Sequence, residues 1–207
     1  MRKPVVTPRN YIGEWYGHRV YPVVKCSQST VLHFSAHRCP FLSASTQTER
    51  ECVKSENSKG VCTITTTAGG TKDWMVCPFR SLDDGLLNAA IARVFGVPLA
   101  TVIAYPVTRL NSADFVVEAK KHISLGANLF VYFQQKLGGE INIGATERTP
   151  ELSFDLTIIP ISFRDDTLLV RRYGLYEVQT MDFHGSYAHA VKAMTNALDL
   201  HTGSFAK

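Results

Sequence analysis

Long apolar runs are missing from this 207-residue chain; the longest uninterrupted one, Leu129-Phe130-Val131-Tyr132-Phe133, falls far short of the roughly 20 residues a helix needs to cross a bilayer. Arg2 and Lys3 are followed by no apolar segment, which excludes a secretory signal, so a soluble cytoplasmic protein with no membrane partner is expected. Charge is sparse, at 19% of residues against 45% hydrophobic, a balance that excludes a disordered or low-complexity chain. Internal repeats and a clear linker are absent. So are a P-loop, a dinucleotide-binding glycine motif, HExxH and any serine or cysteine nucleophile pattern, which removes the common nucleotide-binding, zinc-protease and acyl-transfer readings. The net charge of +4 and pI near 8.8 permit a nucleic-acid partner without demanding one.

Cysteines are five, an odd number in a chain without an export signal, so a disulfide scaffold is not expected and metal binding or free thiols are favoured. Cys39, Cys52, Cys62 and Cys77 leave Cys26 outside. Their separations of 13, 10 and 15 (52 minus 39, 62 minus 52, 77 minus 62) contain no CxxC knuckle. Buried reduced thiols are one reading and a four-thiolate metal site is the other. Proline after Cys39 and after Cys77, and Gly60 two positions before Cys62, allow the stiff turns and tight bend that a ligand set needs. Between the cysteines, Ser55 to Gly60 and Thr63 to Gly70 are rich in Ser, Thr, Gly and Lys, with little apolar material for a core; a tetrahedral metal would hold such a segment together. The residue types alone do not separate zinc from iron. His33 and His37 are read as surface histidines rather than ligands.

Composition changes after Arg80, which predicts a module over 1–80 and a second domain over 81–207. Ser81-Leu82-Asp83-Asp84 reads as a helix N-cap with an acidic first turn, after which Leu86, Leu87, Ala90, Ile91, Val94 and Phe95 recur at helical spacing up to Gly96. Thr101 to Tyr105 reads as a buried strand. A second helix is predicted from Ser112 to Gly126 with Phe115, Val116, Ala119 and Ile123 inward, then a strand over Leu129 to Phe133. Gly138 and Gly139 allow a turn that brings Glu140 just ahead of Ile141-Asn142-Ile143. A last helix is expected from about Gly185 to Leu200.

Two stretches of strand character carry acids. Ser153 to Ile159 contains Asp155. In Tyr173 to Gln179, Leu175, Glu177 and Gln179 share one face and Tyr176 and Val178 the other, which sets a carboxylate beside an amide. Two carboxylates converging from neighbouring strands suit a hard divalent cation such as Mg2+, which keeps several waters and accepts few protein oxygens.

Asp155 with Glu177-x-Gln179 resembles a PD-(D/E)xK nuclease motif in which glutamine replaces the usual lysine. The surrounding residues carry the resemblance further, to the NotI-type restriction endonucleases. They are Gly17-His18-Arg19-Val20-Tyr21-Pro22, Cys39-Pro40-Phe41-Leu42, Gly60-Val61-Cys62, Asp73-Trp74, Val76-Cys77-Pro78, Tyr132-Phe133-Gln134, Lys136 to Glu140, Ser153-Phe154-Asp155 and Gln179 to Tyr187, in that order, up to about Val191.

The resemblance implies an α/β (α+β) fold whose PD-(D/E)xK core is a mixed sheet flanked by helices, with a small N-terminal four-cysteine module holding structural iron or zinc on Cys39, Cys52, Cys62 and Cys77. It implies Mg2+-dependent cleavage of a GC-rich palindrome in double-stranded DNA, with Asp155 and Glu177 as metal ligands, Glu140 as an accessory acidic ligand, and Gln179 orienting the water. Arg171, Arg172, His184 and Lys192 are candidate contacts to the DNA backbone. A homodimer and a cognate DNA methyltransferase are the implied partners. The family extends well past the position of Val191, whereas this chain stops at Lys207, so the part that helps dimerise and read DNA is expected to lie outside it. The competing expectations are a non-cleaving DNA-binding or remnant module and a structure-selective repair nuclease of the same superfamily.

Overall fold

Two antiparallel strands start the described chain in a computed structural model, β1 (Asn10–Trp15) and β2 (His18–Arg19). The residues described are 10–24, 27–67, 69–147, 150–164, 167–177 and 187–205, without the side chains of Leu152 and 199–205. Helices α1 (Gln28–Ser35) and α2 (Pro40–Thr46), strands β3 (Val61–Thr66) and β4 (Lys72–Met75), and helix α3 (Asp84–Phe95) follow. Then come β5 (Val102–Pro106), α4 (Phe115–Ser124), β6 (Asn128–Phe133), β7 (Ile141–Ile143), β8 (Leu152–Phe154), β9 (Leu156–Arg164), β10 (Thr167–Val170), β11 (Gly174–Tyr176) and α5 (Ala188–Phe205). The class is mixed α and β. The chain divides into two compact units: Met1–Arg80 with Gln179–Lys207, and Ser81–Val178.

In the first unit the sheet order is β2-β1-β3-β4, all antiparallel. Ile12, Trp15, Tyr16, Phe34, Val61, Ile64 and Val76 form its core, closed by Val191 and Leu198 of α5. The Trp15 and Phe34 rings lie 4.6 Å apart, and the Trp15 indole donates to Lys59 O at 3.0 Å. The cysteine-bearing stretch is therefore not short of apolar support: five of the six β3 residues are buried. Its core comes largely from elements on either side of it in sequence, which a local reading of composition misses.

In the second unit β5 and β6 run parallel, joined across α4, and β9 lies antiparallel to β6. The other edge of β9 is taken first by β11 and then by β10. Strand β6 is central, so both of its faces are covered: Leu129 and Val131 pack with Phe115 and Ala119 of α4, while Phe130 meets Phe95 of α3 with ring centroids 5.0 Å apart. Helix α3 is capped by Asp83, whose carboxylate accepts from Leu86 N, and ends on Gly96 in the left-handed region at φ 66°. Ser81 lies instead in a short 3-10 turn, Pro78–Leu82, so the predicted cap is two residues early. In α4 Phe115 and Ala119 are buried as expected, whereas Val116 and Ile123 face outward; the face it buries is narrower than the apolar pattern. No helix among the described residues is long and apolar enough to cross a membrane.

Candidate functional site

Cys39, Cys52, Cys62 and Cys77 line one small cavity in the first unit, with Tyr16, Pro40, Val53, Gly60, Val61 and Phe79 completing its wall. The space admits the centre of about one water-sized guest, ≈ 10 Å³. Each sulfur faces main-chain amides. Those of Phe41 and Leu42, at the start of α2, are directed at Cys39; Gly60 N donates to Cys52 Sγ at 3.3 Å; Gly17 N serves Cys62; Phe79 and Arg80 amides serve Cys77. The loops are pinned by Cys39 N to Arg50 O at 2.8 Å, Cys52 N to His37 O at 2.8 Å, and Val76 N to Cys62 O at 3.0 Å.

Gly60 is required here. Its φ is 79°, and a Cβ would lie 2.5 Å from Tyr16 Cε2 and 2.7 Å from Trp15 Nε1. Burial pushes the Cys39 thiol up to about 12 and raises Cys62 and Cys77 as well, and neighbouring cysteines add to each rise. Left to themselves Cys39, Cys62 and Cys77 are protonated, inert thiols; a cation among them would favour their thiolates. Cys62 Sγ donates to Gly60 O at 3.3 Å, and among the described residues no group of three or more His, Cys, Asp or Glu side chains is gathered as a metal-ligand set. The donor types nonetheless suit one soft-ligand metal ion: four cysteines line one small cavity, with amides placed to stabilise sulfur charge. Lys54, which the sequence did not single out, acts on Cys77 against the effect of burial. Its ammonium donates to Val61 O at 2.9 Å and Val76 O at 3.0 Å. Cys26 lies outside the described residues.

The acids are organised by strand register in the second unit. Ser153 to Ile159 is not one strand: the chain bends at Asp155, where β8 ends and β9 begins. Strand β11 pairs with β9 as Gly174↔Ile158, Leu175↔Thr157 and Tyr176↔Leu156. The recorded ladder stops there, and Glu177 is the next residue along the chain. On the other side β7 pairs with β8 as Ile143↔Leu152, Asn142↔Ser153 and Ile141↔Phe154. Glu140 is the residue just before this ladder, and among the described residues Glu140, Asp155 and Glu177 are not gathered as a metal-ligand set. Asp155 is half-buried, Glu140 half-buried and Glu177 exposed. Glu140 Oε2 accepts from Ser153 Oγ at 3.2 Å. Strand β11 stops at Tyr176, so Glu177 is the first residue past the strand rather than within it, and Gln179 lies outside the described residues.

Gln134, to which no sequence signal assigns a separate role, ties this corner together. Its side-chain Nε2 donates to Asp155 O at 3.3 Å. Its own carbonyl accepts from Leu137 N at 2.8 Å and Gly139 N at 3.0 Å, closing the turn that delivers Glu140. Gln134 is only 1% exposed, yet its Oε1 has no hydrogen-bond partner among the described residues; neither does Oγ1 of Thr157, two positions after Asp155. Buried acceptors without donors are uncommon and mark places where a ligand, ion or water is worth seeking.

The basic candidates fall out separately. Arg171 and Arg172 are exposed in the second unit, with the Arg172 guanidinium 5.1 Å from the Phe95 ring centroid. Lys192 is exposed on α5 in the first unit, and His184 lies outside the described residues. No protein-family model matches the chain, and no curated protein matches it.

Proposed function

We propose that the chain is a Mg2+-dependent type II restriction endonuclease of the NotI type, with a PD-(D/E)xK core and a structural four-cysteine metal module. The observation that supports this reading is where two ladders end: the last recorded pairs of β11 and β7, Tyr176↔Leu156 and Ile141↔Phe154, flank Asp155, and Glu177 and Glu140 are the next residues along those two strands.

Asp155 and Glu177 would hold the catalytic cation, with Glu140 holding it or one of its waters. Bound Mg2+ supplies charge neutralisation at phosphorus and a lowered pKa for water. The chain's own part is positional. Gln134 fixes the Asp155 bend through its backbone carbonyl, and the turn after Gln134 aims Glu140. Gln179 takes the place of the usual lysine; an amide neither accepts a proton as a base nor carries positive charge, so its role is to orient the attacking water. Water adds to phosphorus as the opposite phosphorus–oxygen bond breaks, leaving one phosphate end and one hydroxyl end. Arg171, Arg172, His184 and Lys192 serve the DNA backbone. Cys39, Cys52, Cys62 and Cys77 would hold iron or zinc, fixing the loops that carry them. The DNA target is a GC-rich palindrome, cut by a two-fold homodimer because both strands present the same site. A methyltransferase protecting that site is its expected companion in the cytoplasm.

The test is incubation of purified protein with GC-rich plasmid DNA and Mg2+, beside Glu177→Ala. Discrete fragments from the wild type, with the variant slower by on the order of 10³-fold, are expected. A folded, metal-loaded wild type that leaves the DNA intact would instead favour a non-cleaving binding module, and cleavage indifferent to sequence would favour a repair nuclease.

A further inference from the structure

Lys54 stands two positions after Cys52, and the two carbonyls that receive its ammonium belong to the residues immediately before Cys62 and Cys77. It thus touches the main chain beside two of the four cysteines, Cys62 and Cys77. Several other cations of the unit are matched by carboxylates: Arg80 with Glu14, Lys59 with Glu56, Arg38 with Glu49, Arg19 with Asp73. Lys54 has no carboxylate partner among the described residues. Two carbonyl oxygens hold this half-buried ammonium against the residues that precede Cys62 and Cys77, where it would face any negative charge the four sulfurs carry. Four thiolates around a divalent ion carry a net charge of −2, and in a low-dielectric pocket that charge requires compensation.

The geometry points to Lys54 as the charge-compensating positioning residue of the four-cysteine site, setting how tightly the ion is held and, for iron, how strongly the ferrous state is favoured. This rests on the reading of Cys39, Cys52, Cys62 and Cys77 as ligands. Amide donors alone satisfy the sulfurs locally; a full positive charge acts on the whole cluster, and it favours the more negative, ferrous form over the ferric. Hydrogen-bonding to Val61 O and Val76 O also pins the strand ends that carry Cys62 and Cys77, so charge and position act from one side chain.

The probe is cobalt(II), whose visible spectrum reports tetrahedral thiolate coordination, titrated into reduced apo-protein. Wild type, Lys54→Gln, Lys54→Met and Lys54→Arg are compared. All four should give the same tetrathiolate spectrum, with affinity about tenfold or more weaker in the Gln and Met variants and largely restored by Arg. The iron-loaded forms should follow: removal of the charge makes the midpoint potential more negative, and a tenfold change in relative preference for the two oxidation states corresponds to about 59 mV for one electron. Lys54→Gln keeps a hydrogen-bond donor without the charge, so it also covers the case in which Lys54→Met does not fold. Wild-type affinity and potential in Lys54→Gln would overturn the proposal. A wild type that gives no tetrathiolate spectrum would overturn the ligand reading itself, an outcome distinct from equal binding by all four proteins.

Discussion

Glu14 and Arg80 form a two-point ion pair across 66 positions of sequence, with Arg80 Nε to Glu14 Oε2 at 2.7 Å and Nη2 to Oε1 at 3.0 Å. Both side chains are mostly buried, at 14% and 17% exposure, and the guanidinium also lies 5.0 Å from the Phe41 ring centroid. Removing one partner strands a buried charge, so Glu14→Ala should lower stability by about 3 kcal/mol, read from denaturant unfolding. A second residue-scale effect depends on pH. His18 Nε2 and His33 Nδ1 are 2.8 Å apart, with Thr30 and Phe34 also against His18. Burial lowers both histidines from the ordinary 6.5; Glu14 opposes this at His18, while His18 and Arg38 reinforce it at His33. The unfolded chain therefore takes up protons first on acidification. The stability that depends on neutral imidazoles is present above pH 6.5 and lost as pH falls through the lowered folded values. Stability measured from about pH 7.5 to 5 should show this fall, and His33→Gln should flatten it. At this scale the sequence was partly legible. Strand pattern made Asp155 and Glu177 candidates and the family resemblance added Glu140, but nothing local distinguished Gln134 or Lys54. Their roles come from main-chain carbonyls of residues brought near only by folding.

Among the elements, the loop from Cys52 to β3 depends most on one residue. Gly60 combines a positive φ with contacts to Tyr16 and Trp15 that leave no room for a methyl group, and Tyr16 N donates to Gly60 O at 2.6 Å. Gly60→Ala should cost about 2–4 kcal/mol, the sum of left-handed backbone strain and overpacking. It should also weaken cobalt(II) binding, because Gly60 N reaches Cys52 Sγ and Gly60 O receives Cys62 Sγ. Thermal unfolding and a cobalt titration of the same variant check both effects. Helix α3 and the strand β6 were readable because each carries its own signal, a capped 3.6-residue period or a short apolar run. The four cysteines were not readable as a cluster from spacing alone. They are joined by the antiparallel pairing of β1, β3 and β4 and by loop hydrogen bonds, none of which leaves a local period. The bend at Asp155 was missed for a related reason. Strand propensity runs unbroken from Ser153 to Ile159, and the break arises where pairing passes from β7 to β6 and β11.

For the whole molecule, the division into Met1–Arg80 with Gln179–Lys207 and Ser81–Val178 makes a sharp prediction about truncation. The expected boundary near Arg80 coincides with a change of unit, while α5 groups with the N-terminal unit, where Val191 and Leu198 complete the cluster around Trp15, Phe34 and Ile64. A local reading of sequence assigns a C-terminal helix to what precedes it and has no means of sending it back to the first strands. Removing 179–207 deletes two buried aliphatic side chains from that core and exposes their neighbours. At about 1.5–3 kcal/mol for each side chain, the loss is roughly 3–6 kcal/mol, comparable with the whole stability of a small unit. The second unit keeps its own core of Leu129, Val131, Phe115, Ala119 and Ile161. Hydrogen exchange on the chain ending at Val178 should therefore show Val131 and Ile159 amides still protected while Ile64 and Val61 exchange freely. Cobalt(II) should fail to give the tetrathiolate spectrum with that chain, since the four cysteines belong to the unit that has lost its helix. Equal loss of protection in both units would show instead that neither core stands without α5.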